Sequence, residues 1–222
     1  MHRRARSSRR VVVGASRPPV TICLVTDRRR ANPVAQARAA VEAGIDLIQV
    51  RERDLDGAAL CALVRAVVDV AKRSATRIVV NDRVDVAIAT GADGVHLRSD
   101  SFSIPEARRL MPRPLLVGRS IHSPGEAKAA NDADYLVAGT VFASASKPET
   151  TALVGIEGLR AIVRATGVPV LAIGGITLDR LDHVAAAGAA GIAAIGLFTS
   201  SESLRERVRT IRSRFDSMKP AP

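Results

Sequence analysis

A histidine stands where an apolar run gives way to a polar segment. In "PLLVGRSIHSPGEAKAA" (114–130), His122 follows residues typical of a buried strand and precedes residues typical of a helix. An imidazole with its ordinary pKa of about 6.5 can exchange protons near neutral pH. The same ring could instead form a structural hydrogen bond at a strand end. The other strand ends decide between these two interpretations.

Amide and guanidinium side chains follow a second apolar run. "DLIQVRERDLDG" (46–57) carries Gln49, Arg51 and Arg53 at every second position, so the three would face one side of a continuing strand. Planar guanidinium groups suit phosphate or carboxylate ligands. Either arginine could instead pair with an acidic neighbour, which would be Glu52, Asp54 or Asp56.

A third run, "RIVVND" (77–82), ends in Asn81 and Asp82. Asp82 is the strongest candidate deep in the fold for a hard cation such as Mg²⁺, which prefers oxygen ligands. Asp100, in an irregular segment, is a second candidate ligand.

Glycines follow the last two apolar runs. "AIGGIT" contains Gly174 and Gly175, and "AAIG" ends in Gly196. Without a Cβ, backbone N–H groups can approach an anion, and "ITLDR" after the glycine pair predicts a helix whose N-terminus would favour negative charge. These glycines therefore predict a phosphate site.

Apolar runs alternate with alanine-rich amphipathic segments along the chain. Eight runs are predicted strands: 20–26, 46–51, 77–81, 93–97, 115–119, 134–138, 169–173 and 190–195. The predicted helices include 33–43, 57–73, 104–111, 124–130, 156–166, 178–187 and 202–216. Strands alternating with helices indicate a parallel sheet, and eight such units favour an α/β fold, a single (β/α)₈ TIM barrel, over an open doubly wound sheet. Catalytic residues of such barrels lie at the carboxyl ends of the strands.

Charge is concentrated near the N-terminus. The formal net charge is +11, and six arginines fall within the first 17 residues. We predict a disordered basic tail over 1–18, a barrel domain over 19–216 and a disordered tail over 217–222. No apolar run is long enough for a membrane span or a signal peptide, which predicts a cytoplasmic protein with no membrane partner. Because the excess charge is concentrated near the N-terminus and not spread over one face, no specific nucleic-acid partner is expected. The two cysteines form no metal-ligand spacing.

Motifs across most of the chain resemble the thiamine phosphate synthase/TenI family. The matching segments run in order from about residue 20 to 200: "CLVTD", "IQVRERDLDG", "VVNDRVDVAIATGADGVHL", "VGRSIHSPGEAKAA", "ADYLVAGTVFASASKPE", "VPVLAIGGIT" and "GAAGIAAI". The resemblance implies a TIM barrel acting on a thiazole phosphate in thiamine biosynthesis.

The resemblance and the strand-end positions together predict a set of site residues. Catalytic roles are expected for His122, Arg51 and Lys147. Substrate contacts are expected from Gln49, Arg53, Asn81, Ser120, Ser144 and Ser146, and phosphate contacts from Gly174, Gly175, Ile195 and Gly196. A metal site is expected at Asp82 with Asp100.

Two departures from the synthase pattern separate the branches of the family. Synthases usually carry lysine at the position of Arg53. After His96 they carry a glycine and then a Mg²⁺-binding aspartate, where this chain has Arg98 and Ser101. These departures, together with His122, favour a thiazole tautomerase without a cofactor, in which His122 moves a proton and Arg51 or Arg53 holds the carboxylate.

A thiamine phosphate synthase using Mg²⁺ is the alternative enzyme, and a non-catalytic binding protein is a third hypothesis. The expected partner is a small-molecule thiazole phosphate. A two-fold homodimer is the base-rate expectation.

Overall fold

Eight parallel strands close into a barrel in the order of the chain. The computed structural model describes residues 20–143, 152–199 and 203–218. Each strand pairs with its neighbours in sequence, and the last pairs with the first. The strands are β1 (Thr21–Val25), β2 (Leu47–Val50), β3 (Arg77–Asn81), β4 (Gly94–Leu97), β5 (Leu116–Ile121), β6 (Tyr135–Gly139), β7 (Val170–Ile173) and β8 (Gly191–Ala194). The predicted TIM barrel is confirmed, and the open sheet is excluded.

A helix follows each strand on the outside of the barrel. The helices are α1 (Pro33–Ala43), α2 (Gly57–Ala71), α3 (Val84–Thr90), α4 (Ile104–Leu110), α5 (Pro124–Ala129), α6 (Gly155–Arg164), α7 (Leu181–Ala186) and α8 (Leu204–Ser217). Two short 3₁₀ turns, Leu178–Arg180 and Gly196–Phe198, follow β7 and β8.

Three local predictions differ from the structure. The seven-residue α3 was not among the predicted helices, and its N-cap residue, Arg83, makes no side-chain capping hydrogen bond that would mark the start of a helix in the sequence. The predicted helix at 178–187 begins with a 3₁₀ turn and becomes α-helical only at Leu181. Strand β2 stops at Val50, so the strict alternation predicted through Arg53 ends before Arg51.

Local sequence explains where several elements begin and end. The side chain of Asn32 accepts hydrogen bonds from the N–H groups of Val34 and Ala35, which caps the start of α1. Helices α1 and α3 end at Gly44 and Gly91, whose φ angles of 79° and 73° lie in the left-handed region. Glycine adopts this conformation without a Cβ penalty, so these positions stop the helices and turn the chain toward the next strand.

The apolar core has two layers. The larger layer lies between the strands and the surrounding helices, and includes Ile22, Ile48 and Leu136. The smaller layer fills the inside of the barrel, where Val79 and Leu171 are fully buried. Because both faces of each strand are covered, the strands consist almost entirely of Val, Ile, Leu and Ala.

The tails and the oligomeric state remain predictions. Residues 1–18, and 219–222 of the predicted C-terminal tail, lie outside the described residues, while Ser217 is the last residue of α8. Of the helices described, none has the length and apolar character needed to span a membrane. The homodimer and the cytoplasmic location also stay predictions.

The barrel closes where β8 approaches β1 very closely. A Cβ added at Gly191 would overlap the carbonyl oxygen of Thr21, its partner in the strand pairing. The obstacle is backbone, which cannot rotate away as a side chain could. Only glycine is therefore compatible with this closure.

We predict that Gly191→Ala lowers the free energy of unfolding by about 3 kcal/mol or more, the upper part of the range for overpacked cores. Urea denaturation followed by circular dichroism measures the change. Gly167→Ala is the matched control, since a Cβ there meets no atom within 4 Å. Equal stability of the two variants would contradict the closure argument.

Candidate active site

A large cavity opens at the carboxyl ends of the strands. Its volume is about 1230 Å³, and its walls combine polar and apolar side chains. Most of the sequence-predicted site residues line it: Gln49, Arg51, Arg53, Asn81, Asp100, Ser120, His122, Gly174, Gly175, Ile195 and Gly196. The barrel therefore gathers residues that are up to 147 positions apart in the chain, from Gln49 to Gly196.

Four predicted site residues are not placed in this cavity. Asp82 is not among its lining residues. Ser144, Ser146 and Lys147 lie outside the described residues, so their predicted roles stay predictions.

An amide pair lies on the floor of the cavity. The Nε2 of Gln49 donates to Oδ1 of Asn81 at 2.9 Å, joining the ends of β2 and β3. Gln49 is buried, so this hydrogen bond fixes its orientation. The remaining amide donors and acceptors of the pair can form hydrogen bonds with a polar heterocycle.

A buried histidine lies beside this pair, and the sequence-based site did not include it. His96 contacts the hydroxyl of Tyr135 through Nδ1 at 3.1 Å and Ser120 Oγ through Nε2 at 2.9 Å. Burial, followed by the charges of Arg119 and Arg51, lowers the pKa of His96 to about 3. The ring is therefore neutral at physiological pH.

The neutral ring determines how Ser120 presents its hydroxyl. A neutral imidazole has one N–H and one acceptor nitrogen, so one of the two hydroxyls donates to the ring and the other accepts. The sequence shows only a glycine at position 118, whose role becomes visible in the structure: His96 pairs with Gly118 in the register of β4 and β5, and a Cβ at Gly118 would overlap Tyr135. Glycine at that position makes the space for the His96–Tyr135 contact.

Arg51 and Arg53 keep their charges available to a ligand. Across the three described ranges, no carboxylate lies within 4.0 Å of either guanidinium group. The acidic neighbours have other partners, so the alternative of a local ion pair is not realised. Burial, followed by the charge of Arg53, lowers the pKa of Arg51.

The partners of those carboxylates connect β1 to the segment after β2. Glu52 is buried and accepts from Thr26 Oγ1 at 2.6 Å and from the Arg28 N–H at 3.1 Å. Asp54 pairs with Arg28 at 2.7 Å, and Asp56 caps α2.

The predicted metal pair is joined by an arginine. Arg98 Nη1 lies 3.6 Å from Asp82 Oδ2, and Arg98 Nη2 donates to Asp100. Asp82 follows β3 with a φ of 57°, and its side chain is 22% exposed, so it is not deep in the barrel as predicted. Within the described residues, no group of three or more His, Cys, Asp or Glu side chains could hold a metal ion.

The glycines after β7 and β8 form a concave backbone surface. Gly174 and Gly175 have φ angles of 99° and 61°, and a Cβ at either would overlap the chain after β6. At Gly196 the nearest atom to an added Cβ is Arg30 Nη1 at 3.9 Å, so this side of the cavity is open. Exposed N–H groups in such a turn can bind an anion.

Two arginines beside this surface were missed by sequence reasoning. Arg180 donates to the carbonyl of Gly175 at 2.8 Å and stacks over Phe142, 4.7 Å from the ring centroid. Arg30 and Arg180 both line the cavity. "ITLDR" contained the signal for Arg180, but its direction depends on the 3₁₀ turn that replaces the start of the predicted helix.

His122 lies at the mouth of the cavity, one residue after the end of β5. Its side chain is 48% exposed. Its backbone N–H donates to Glu126 Oε2 at 2.7 Å, and its Nδ1 is 3.3 Å from the same oxygen. His122 is thus held at the rim of the cavity by Glu126, which lies in the first turn of α5.

The chain is similar to known proteins over most of its length. A family model described as thiamine monophosphate synthase matches residues 22–198. A thiamine-phosphate synthase of Methanoregula boonei is 40% identical over 194 residues, which is 83% of this chain and 90% of that protein. A thiamine-phosphate synthase of Anaeromyxobacter dehalogenans is 46% identical over 167 residues, which is 74% of this chain and 75% of that protein.

A solved structure agrees with these matches. The thiamine phosphate pyrophosphorylase of Pyrococcus furiosus superposes with a TM-score of 0.79 at 33% identity. The superposition covers 90% of this chain and 96% of that one.

The buried His96 predicts a specific pH dependence of stability. Between pH 3 and the unfolded value of about 6.5, the unfolded state binds a proton that the folded state does not. The free energy of unfolding should therefore rise with pH in this window, by about 1.4 kcal/mol per pH unit from this group.

The test compares urea denaturation of the wild type and His96→Asn from pH 4 to pH 7. The wild type should lose stability relative to the variant as the pH falls. Parallel curves for the two proteins would contradict the assignment of a buried, neutral His96.

Proposed function

Because this chain belongs to the thiamine monophosphate synthase family, we propose that it is a thiamine-phosphate synthase. The enzyme would join hydroxymethylpyrimidine diphosphate to thiazole phosphate and release diphosphate. Relatives at 40% and 46% identity carry this name, which favours the synthase over the tautomerase that the sequence motifs ranked first. The observation that carries the proposal is a set of unneutralised arginines at the end of β2.

The reaction needs cationic groups more than it needs a general base. The thiazole nitrogen forms a bond to the exocyclic methylene of the pyrimidine, the methylene C–O bond breaks, and the electron pair leaves with diphosphate. No proton has to move in this step. The cost lies in the negative charge that develops on the leaving oxygen, and fixed positive charge lowers that cost.

Arg51 and Arg53 are suited to this role. Both line the cavity and neither has a carboxylate partner among the described residues. The lowered pKa of Arg51 reflects partial burial and the nearby charge of Arg53. An anion between the two guanidinium groups would relieve their repulsion.

The amide floor would bind the pyrimidine. Gln49, Asn81 and Ser120 line one side of the cavity, adjacent to the arginines. Because His96 is neutral and holds the Ser120 hydroxyl at 2.9 Å, this surface carries hydrogen-bonding groups and no net charge. A neutral aminopyrimidine fits such a surface.

The glycine surface would bind the phosphate of the thiazole. Gly174, Gly175 and Gly196 line the opposite side of the cavity, with Arg30 and Arg180 beside them. Two anion sites on opposite sides would place the thiazole ring and the pyrimidine methylene between them. Such positioning converts a bimolecular reaction into an effectively unimolecular one.

A divalent cation at the predicted metal pair does not fit this arrangement. The resemblance to synthases implies a Mg²⁺ site at Asp82 and Asp100, yet both carboxylates contact the Arg98 guanidinium. The residues after His96 add Ser101 where the family pattern has an aspartate, so a carboxylate ligand is missing. The proposed mechanism therefore uses only the charges of the chain itself.

Thiazole tautomerisation is the second candidate function. His122 lines the same cavity, and its contact with Glu126 Oε2 would orient the imidazole for proton transfer. In that reaction His122 would move a proton between ring and exocyclic carbons, and the arginines would hold only a carboxylate.

The first test is product formation by the purified protein. With hydroxymethylpyrimidine diphosphate and thiazole phosphate, we expect thiamine phosphate and diphosphate in equal amounts, measured by chromatography and a diphosphate assay. Conversion of thiazole carboxylate phosphate to its aromatic tautomer without coupling would instead support the second candidate.

The second test separates the arginines from the histidine. Arg51→Gln should lower kcat/KM for coupling by about 100-fold or more, since it removes charge that acts on the leaving group. His122→Ala should leave coupling close to the wild-type rate, because no proton transfer is needed. Steady-state kinetics measures both effects.

Arg164→Gln is the matched control. Arg164 is the last residue of α6, is exposed and does not line the cavity. Loss of coupling in His122→Ala with retention in Arg51→Gln would contradict the proposed mechanism.

A further inference from the structure

The segment after β4 carries an arginine between two aspartates at the edge of the cavity. Arg98 N–H donates to Asp82 Oδ1 at 3.3 Å, and its guanidinium contacts Asp82 through Nη1 and Asp100 through Nη2. Arg98 and Asp100 line the cavity, next to Arg51 and Arg53. A positive group thus sits between the two carboxylates predicted to hold a metal.

We infer that the Arg98 guanidinium takes the place of a divalent cation and acts as a built-in cation for the diphosphate of the substrate. The inference rests on the proposed synthase function. It makes diphosphate binding and departure independent of added metal, and it assigns Asp82 and Asp100 as positioning residues for Arg98.

The donor set supports an arginine better than a metal. Mg²⁺ takes six oxygen ligands, of which the protein usually supplies one or two carboxylates and water and substrate phosphates supply the rest. Here each carboxylate already contacts one Nη of Arg98. The guanidinium has five N–H donors, so its Nε–H and one N–H on each Nη are left for phosphate oxygens.

Hydrogen bonds from Arg119 on β5 and from the backbone of Asp82 hold the segment that carries Arg98. Arg119, on β5, donates to the carbonyls of Phe102 at 2.6 Å and Ser99 at 2.9 Å. The Asp82 N–H donates to the carbonyl of His96 at 2.9 Å. These contacts fix both sides of the Asp82–Arg98–Asp100 group, so the guanidinium is positioned before a ligand arrives.

The charges in this corner favour an anion. The Asp82–Arg98–Asp100 group by itself has a net charge of −1, and beside it Arg51 and Arg53 add two guanidinium groups that have no carboxylate within 4.0 Å among the described residues. Arg98 is also close enough to Arg51 for its charge to contribute to the lowered pKa of that residue. A diphosphate would contact all three arginines, as bidentate guanidinium–phosphate pairs allow.

If Arg98 takes the place of a metal ion, removing Arg98 and restoring a carboxylate should make the protein dependent on Mg²⁺. Arg98→Gly removes the cation and frees both carboxylates. Adding Ser101→Asp supplies a third carboxylate in the same segment. The double variant should therefore need Mg²⁺, whereas the wild type should not.

The test measures the binding of inorganic diphosphate by calorimetry, with excess EDTA or with Mg²⁺, and coupling activity under the same conditions. The wild type should bind and turn over equally well in both. Arg98→Gly should lose affinity by about 10-fold or more in EDTA. Arg98→Gly/Ser101→Asp should regain binding and activity only with Mg²⁺, and Arg164→Gln should resemble the wild type.

The outcomes separate this inference from the proposed function. Thiamine phosphate formed by the wild type only with Mg²⁺ would overturn the role of Arg98 and keep the synthase. Metal-independent, Arg98-dependent binding of diphosphate without coupling would keep the role of Arg98 and overturn the synthase. Absence of diphosphate binding by a folded wild type in both conditions would overturn the inference on Arg98. Thermal unfolding checks that each variant is folded.

Discussion

Closure of the barrel between β8 and β1 is the constraint on which the site depends. The pairing of Gly191 with Thr21 completes the ring of eight parallel strands, and all eight carboxyl ends then face one cavity. This closure requires a backbone approach that tolerates no Cβ at Gly191. Without it, the amide floor at the end of β2 and the glycine surface after β8 would lie at different edges of a sheet. The two sides of the proposed reaction meet only because the sheet has no edge.

Within that ring, the pairing of carboxylates decides which arginines remain reactive. The buried Glu52 is held by Thr26 and by the Arg28 N–H, and Asp54 is held by Arg28. These contacts connect β1 to the segment after β2 and leave Arg51 and Arg53 without a carboxylate within 4.0 Å among the described residues. Arg98 is the exception, since its charge is shared with two aspartates on the rim. The same corner thus contains free arginines and one arginine that is fixed in position.

The two histidines of the site differ in their burial. His96 lies inside the barrel, where desolvation keeps it neutral and its ring organises Ser120 and Tyr135. His122 lies at the rim beside Glu126 and is half exposed. The residue that first suggested proton transfer is therefore peripheral in the cavity, and the residue without an assigned role forms part of its floor. A reaction driven by charge at a leaving group is consistent with this division.

The sequence by itself determined the architecture and most of the rim. Alternating apolar runs and glycine-terminated helices are local features, so eight strands, their order and the strand-end positions of Gln49, Asn81 and Gly174 could be predicted from them. The ends of the strands were predicted to within two residues. The alternation of side chains predicted from Gln49 through Arg53 is absent, because β2 stops at Val50. What the tertiary structure decided was which charges meet. The contacts of Glu52 with Thr26, of Arg98 with Asp82, and of His96 with Tyr135 each join different strands or loops. No local pattern encodes such contacts, because they depend on the register of neighbouring strands and on how the barrel closes.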